Sequence, residues 1–458
     1  MTTERKTNAI TEGVIWKQLL IFFFPILLGT FLQQLYNTVD AMIVGKAVGK
    51  EALGAVGGAT ATIISLLVGF FVGISSGATV VISQFYGGRH AQNTARAVHS
   101  AIALALCCSA LLTAIGLIFA PVLLRMMGTP EAVLPHALTY MRIYFAGITA
   151  SVIYNIGAGI LRAVGDSRRP LAVLVVSCLT NIVLDLLFVV GLHMGVAGAA
   201  LATILSQAVA AALVTAFLIR ARDSYRLRLR EIRVHADMLQ PMLRIGLPAG
   251  VQSVLYSISN VVIQAAINSF GTDVVAGYTA ASKMDNFYWV IISSMGIAIT
   301  TFAGQNFGSG RYDRLKKSVR VGLALSVGIT VVMCTLLLTV GARLLWLFSE
   351  DEAVLAQGLV VMRFMVPIYM TYVCVEVFSG ALRGAGDSLV PTLMSLFAVC
   401  LLRMLWVAIV VPRHHTLTAV LASYPVSWSI CSIMFVVYYL KSPWLERCIL
   451  RAKSFAPS

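Results

Sequence analysis

Charge is what this chain of 458 residues most lacks: Asp, Glu, Lys and Arg make up 12% of it, about half the share of a soluble domain. Acidic residues are the scarcer sign, 19 against 34 Lys and Arg. Cysteine is present without a pairing pattern. Cys107, Cys108, Cys178, Cys334, Cys374, Cys400 and Cys431 fall in apolar stretches, Cys448 lies near the end, and no C-x-x-C occurs. They read as small apolar helix residues, not as a disulfide framework. No two of the seven His are four residues apart, and the adjacent His414 and His415 cannot share a helix face, which excludes a His-based metal site. There is no GxxxxGK[ST] phosphate loop, no nucleophile–base pattern and no stretch polar enough for a soluble domain. A pump fuelled by bound ATP and an enzyme both drop out.

What is there is apolar length. Hydrophobic residues are 59% and the mean hydropathy is +0.88. A spanning helix needs about 20 apolar residues. Twelve such stretches are expected, at about 14–38, 53–83, 97–121, 138–161, 170–191, 196–219, 243–269, 275–303, 318–346, 357–381, 391–411 and 417–440. The fold class is therefore an all-α integral membrane protein. The polar opening MTTERKTNAITEG precedes a long apolar segment with no small-residue cleavage site, so the first span is expected to be retained. With both termini placed in the cytoplasm, 25 Lys and Arg flank the spans on that side and 5 on the other. That asymmetry sets the orientation. It also explains the net charge of +15 as topology and lipid contact, so no nucleic-acid partner is expected.

The chain repeats itself. GILRAVGDSRRP at 159–170 and GALRGAGDSLVP at 380–391 coincide at an offset of 221 residues. The same offset pairs Met141-Arg142 with Met362-Arg363, and QFYGGR at 84–89 with QNFGSG at 305–310. Two homologous bundles of six spans follow: 1–220, a basic cytoplasmic linker at 221–241, a second bundle at 242–441, and a cytoplasmic tail at 442–458. Six is even, so both bundles enter the membrane in the same sense. A cleft between such halves is where alternating-access transporters commonly hold cargo.

Polar groups inside the spans carry the chemistry, because a lone carboxylate in lipid costs several kcal/mol. Tyr36 and Asp40 are four residues apart on the first span, as are Asn181 and Asp185 on the fifth, and Thr203 and Gln207 share a face of the sixth. Converging, these groups would make a site for a proton shared by two carboxylates, or an oxygen cage of Asp40, Asp185 and Asn181 for Na⁺. The second half does not repeat them: Leu402 and Trp406 stand where Asn181 and Asp185 do. It offers instead Lys283, Asp285, Glu376 and Arg403 as a candidate second polar site, with Glu376 and Arg403 able to neutralise each other across helices. In the repeated LRxxGD, Arg162 with Asp166 and Arg383 with Asp387 are expected to form one-turn ion pairs in capped turns, which could also latch the cytoplasmic mouth. Pro25 is the candidate hinge of the first span and Pro248 its counterpart in the seventh.

With these motifs the sequence resembles the MATE family, the multidrug and toxic compound extrusion transporters. The resemblance rests on twelve spans in two halves, GILRAVGDS and GALRGAGDS, QFYGGR and QNFGSGR, and the place of Asp40. It implies secondary active efflux of small organic cations or amphipathic drugs in exchange for H⁺ or Na⁺, with no cofactor besides that ion. It implies a bacterial cytoplasmic membrane protein, in contact with lipids and expected to act as a monomer. In the DinF-like branch it also implies an N-terminal cation site, and Tyr36, Asp40, Asn181, Asp185 and Thr203 stand at its positions. The Glu on the seventh helix and Asp on the tenth of the NorM-like branch have no clear match. A lipid-linked oligosaccharide flippase of the same wider superfamily is the alternative, disfavoured by the acidic N-terminal cluster.

Overall fold

In a computed structural model the described residues are 9–346 and 351–455. The first eight residues, 347–350 and the last three of the predicted tail lie outside them. The described residues are helical, with no strand among them. Eleven helices are long and apolar enough to span a membrane, and a bent pair completes the twelve. Most ends fall near the predicted ones. The second span is broken at Gly58, into Lys50–Gly57 and Ala59–Gly87. The seventh begins earlier than expected and runs Ala236–Asn268, with Pro241 and Pro248 inside it.

By internal contacts the chain forms two compact units, Ile21–Gly250 and the residues on either side of it. Each repeats the other's backbone detail at the sequence offset. The bent pair is the fourth span, Leu134–Ala146 and Ile148–Ala163, turned by 51° around Gly147. At the matching place the tenth span, Glu352–Gly384, loosens into a 3-10 turn at Val366–Ile368. A side chain from the preceding span meets each break: Thr113 Oγ1 donates to the Phe145 carbonyl at 2.9 Å, and Cys334 Sγ to the Val366 carbonyl at 3.1 Å. These bonds take up carbonyls that the break withdraws from the helix ladder.

The LRxxGD turns also match. Gly165 and Gly386 have φ of 93° and 95°, the left-handed region that favours glycine. Their amides donate back to the carbonyls of Arg162 and Arg383, which ends each helix. The turn takes the Asp off the helix face, so neither predicted Arg–Asp ion pair forms. Asp166 instead accepts from the amides of Arg168 and Arg169 at 3.1 Å and pairs with the Arg169 side chain at 3.3 Å. Asp387 accepts from the Tyr438 hydroxyl at 2.6 Å and lies 4.0 Å from Arg451 of the tail helix Trp444–Phe455. Arg383 donates to Ser379 Oγ at 3.1 Å.

The unit Ile21–Gly250 contains a close crossing that the sequence reading missed. A Cβ added at Gly77 would lie 2.1 Å from the Met242 carbonyl oxygen, and one at Gly73 2.4 Å from Gly250 Cα. Gly73 and Gly77 on the second span thus meet Gly246 and Gly250 on the seventh. Both pairs are spaced as G-x-x-x-G, the pattern that lets helix backbones touch in lipid. The basic linker is not a free strand over lipid. His99 Nε2 accepts from the Arg228 amide at 3.1 Å, Ser100 Oγ from the His235 amide at 3.1 Å, and Arg96 pairs with Asp237 at 2.9 Å. Leu227 is buried and its amide donates to the Leu218 carbonyl.

Candidate functional site

The first-unit polar residues come from the first span, Ile15–Ala47, the fifth, Arg168–Gly191, and the sixth, Gly195–Ile219. The α-helix of the fifth span ends at Asp185 and continues as a wider π turn, Leu186–Gly191. Asp40, Asn181 and Asp185 are buried, at 8%, 1% and 0% exposure. The carboxyl groups of Asp40 and Asp185 are neighbours, close enough for each to act on the other. Two bare carboxylates have no proton to put between them and repel; a proton or a cation turns the contact attractive. Both oxygens of Asp185, one of Asp40 and both polar atoms of Asn181 have no hydrogen-bond partner in the protein. Such a concentration of unpaired buried polar atoms is costly in a fold that needs them only for packing.

Not every predicted member joins this contact. Thr203 Oγ1 donates to the Ala199 carbonyl of its own helix at 3.0 Å. Tyr36 is half-buried and packs against the apolar core of its unit. Gln207 is buried. Tyr140 of the fourth span is the residue sequence reading missed. It is buried, faces Asp40 and Thr203, and stacks on Tyr144 with ring centroids 6.2 Å apart. The signal was available: Tyr140 and Tyr144 are four apart and share a helix face. Pro25 sits inside the unbroken first helix, where it removes one rung of the backbone ladder.

The second-unit candidates separate. Lys283 is exposed, and Glu376 packs against Gly296, with Arg383 as a charge that acts on it. Glu376 and Arg403 do not pair, contrary to expectation. Arg403 points its guanidinium at aromatic rings instead, 4.4 Å from the centroid of Tyr424 and 6.0 Å from that of Trp428. Asp285 accepts from the Tyr369 hydroxyl. Asp285 and Arg403 line one cavity; Lys283 and Glu376 do not. No cluster of three or more His, Cys, Asp or Glu suited to a metal ion occurs among the described residues.

The MatE family profile matches twice, over residues 25–187 and 248–409. The chain belongs to the MatE family. The double match falls one per half, as the internal repeat requires. Among relatives of this MatE protein, a probable multidrug resistance protein of Bacillus subtilis, YoeA, is 29% identical over 97% of each chain. A second from the same organism, YpnP, is 30% identical over 87% of this chain and 89% of its own. The multidrug export protein MepA of Staphylococcus aureus is 22% identical over 94% and 95%. Solved structures share the fold. A MATE in the bent conformation aligns with TM-score 0.88 and 23% identity over 99% of this chain and 100% of that one. An outward-facing multidrug resistance MATE transporter aligns at TM-score 0.86, also 23% identical, over 100% of each. The MatE chain is thus a multi-pass membrane transporter of the multidrug efflux class.

Proposed function

We propose that this protein is an antiporter that expels small organic cations or amphipathic drugs from a bacterial cell in exchange for H⁺ or Na⁺ entering. The observation that carries this reading is the buried pair Asp40 and Asp185, three of whose carboxyl oxygens meet no donor from the protein. A proton would satisfy it by bridging the carboxyl oxygens. Sodium would take the same oxygens together with the Asn181 amide oxygen. Either ion removes the repulsion that otherwise pushes the first and fifth spans apart. Pro25 weakens the first helix in its own ladder and is the place for that span to bend in response. Alternating access follows if the ion favours one shape of the Ile21–Gly250 unit and cargo favours the other; linkage then makes their affinities interdependent.

The charge asymmetry of the loops supports placing both termini in the cytoplasm, with the protein in the cytoplasmic membrane. The names of its relatives support drugs as cargo. In vesicles preloaded with a fluorescent cationic dye, Na⁺ and pH gradients are imposed one at a time. The parent extrudes dye under one or both, and Asp40→Asn under neither. Extrusion by Asp40→Asn at the parental rate under both gradients would falsify the coupling role.

A further inference from the structure

The second unit holds a cavity lined by none of the coupling residues named above. Its volume is about 450 Å³, within the range of small-molecule sites. Asp285 and Trp289 of the eighth span, Arg403 of the eleventh and Trp428 of the twelfth form its wall. Asp285 and Arg403 carry opposite charges, yet each is engaged by a neutral neighbour and not by the other. The Tyr369 hydroxyl donates to Asp285 Oδ1. Arg403 donates from Nη2 to Ser427 Oγ at 3.3 Å. Although Arg403 is only 3% exposed, its Nε has no partner, and neither has Ser259 Oγ on the same wall. A buried guanidinium with an unused N–H is expensive. Its planar fork matches a carboxylate. The Tyr424 and Trp428 rings fix its position, and Trp289 and Trp428 offer aromatic surface beside it.

We infer that this cavity is a binding site for an aromatic zwitterion. Its carboxylate meets Arg403, its cationic nitrogen meets Asp285, and its ring lies against Trp289 and Trp428. A simple organic cation would leave the guanidinium unpaired in a site it had just sealed from water. A neutral apolar molecule would desolvate both charges with no return.

The test uses the purified full chain in lipid nanodiscs without any gradient. Fluorescence anisotropy measures binding of a rhodamine with a free carboxylate and of the methyl ester of the same dye. The parent binds the acid more tightly than the ester. Arg403→Gln weakens the acid by about tenfold and hardly changes the ester, the size expected for a hydrogen bond to a charged group. Asp285→Asn weakens both dyes, since both carry the cationic ring system. Binding here is read with no gradient and extrusion by Asp40→Asn under a gradient, so loss of acid-selective binding and loss of coupling are separate outcomes and this site stands or falls apart from the coupling reading. Equal or tighter binding of the ester by the parent overturns the inference. So does an equal loss of both dyes in Arg403→Gln and Arg403→Lys, because Arg403 would then only prop the twelfth span. If Arg403→Gln does not fold, the acid-selective loss is required of Arg403→Lys, which keeps the charge and loses the fork.

Discussion

The two units share a backbone plan and have opposite polar interiors. In Ile21–Gly250, Asp40 and Asp185 face each other with oxygens unsatisfied. In the other unit Asp285 has a tyrosine hydroxyl, Arg403 has aromatic rings and a serine, and Glu376 has Arg383 nearby. The repeat holds in the LRxxGD turns and near the Gly147 break, but not in the break at Gly58 or in the charges buried inside the spans. Backbone geometry is what both units need to hold six helices. Side chains inside the bundle are free to diverge once the packing is set, so one unit buries two carboxyl groups together and the other buries Arg403 and Asp285, each with neutral neighbours.

The sharpest way to break this contrast is to neutralise one carboxylate in each unit. Asp185→Asn should reduce gradient-driven dye extrusion to background, whereas Glu376→Gln should retain most of it. Comparable losses would mean that the units are not specialised. Next in size is the crossing of glycines found in the first unit. Gly77→Ala should destabilise the protein by about 3 kcal/mol, because backbone faces the added methyl. Gly328→Ala in the second unit meets nothing within 4 Å and should stabilise by up to about 1 kcal/mol. Thermal unfolding in one detergent compares them directly.

The polar centres should also differ in the sign of their effect on stability. Tyr369→Phe strips Asp285 of its donor and should cost about 1–3 kcal/mol, while Asp185→Asn gives Asp40 a donor in place of a repelling partner and should raise the melting temperature. A fall for Asp185→Asn would show the carboxylate contact to be structural. The smallest effect concerns the linker strap. Burial first, then the nearby Arg233 and Arg96, holds the His235 pKa below its ordinary 6.5. The folded strap therefore binds fewer protons than the unfolded one, and its stability is present above that value and lost as pH falls below it. His235 Nε2 accepts from Arg233 Nε at 3.0 Å, a bond its protonation destroys. Hydrogen-exchange protection over 226–235, corrected for intrinsic rate, should decline modestly from pH 7 to about pH 5. An unchanged strap would show that His235 carries none of its order.

Much of the fold was legible because it follows from local composition. Apolar length defined the spans, and one offset of 221 residues defined two halves. The candidate site was legible in part. Asp40 and Asp185 stand out because carboxylates are rare and expensive in lipid. Tyr140 does not stand out, since a tyrosine in a span is ordinary until its neighbours are known. Spacing alone also misled at the LRxxGD turns: four residues make a helix-face pair only if the helix continues, and a glycine at positive φ ends it between Arg162 and Asp166.

By itself the sequence determined that this chain crosses a membrane twelve times, in duplicate, with a few acidic groups, Asp40, Asp185, Asp285 and Glu376, in costly places. Those conclusions depend on the free energy of each residue in lipid, a property each stretch carries alone. Only the tertiary structure decided that Asp40 meets Asp185, that Arg403 turns from Glu376 to aromatic rings, and that two glycine pairs bring the second and seventh spans together. Contact between helices is set by the shapes of both partners at once, and no single stretch encodes it.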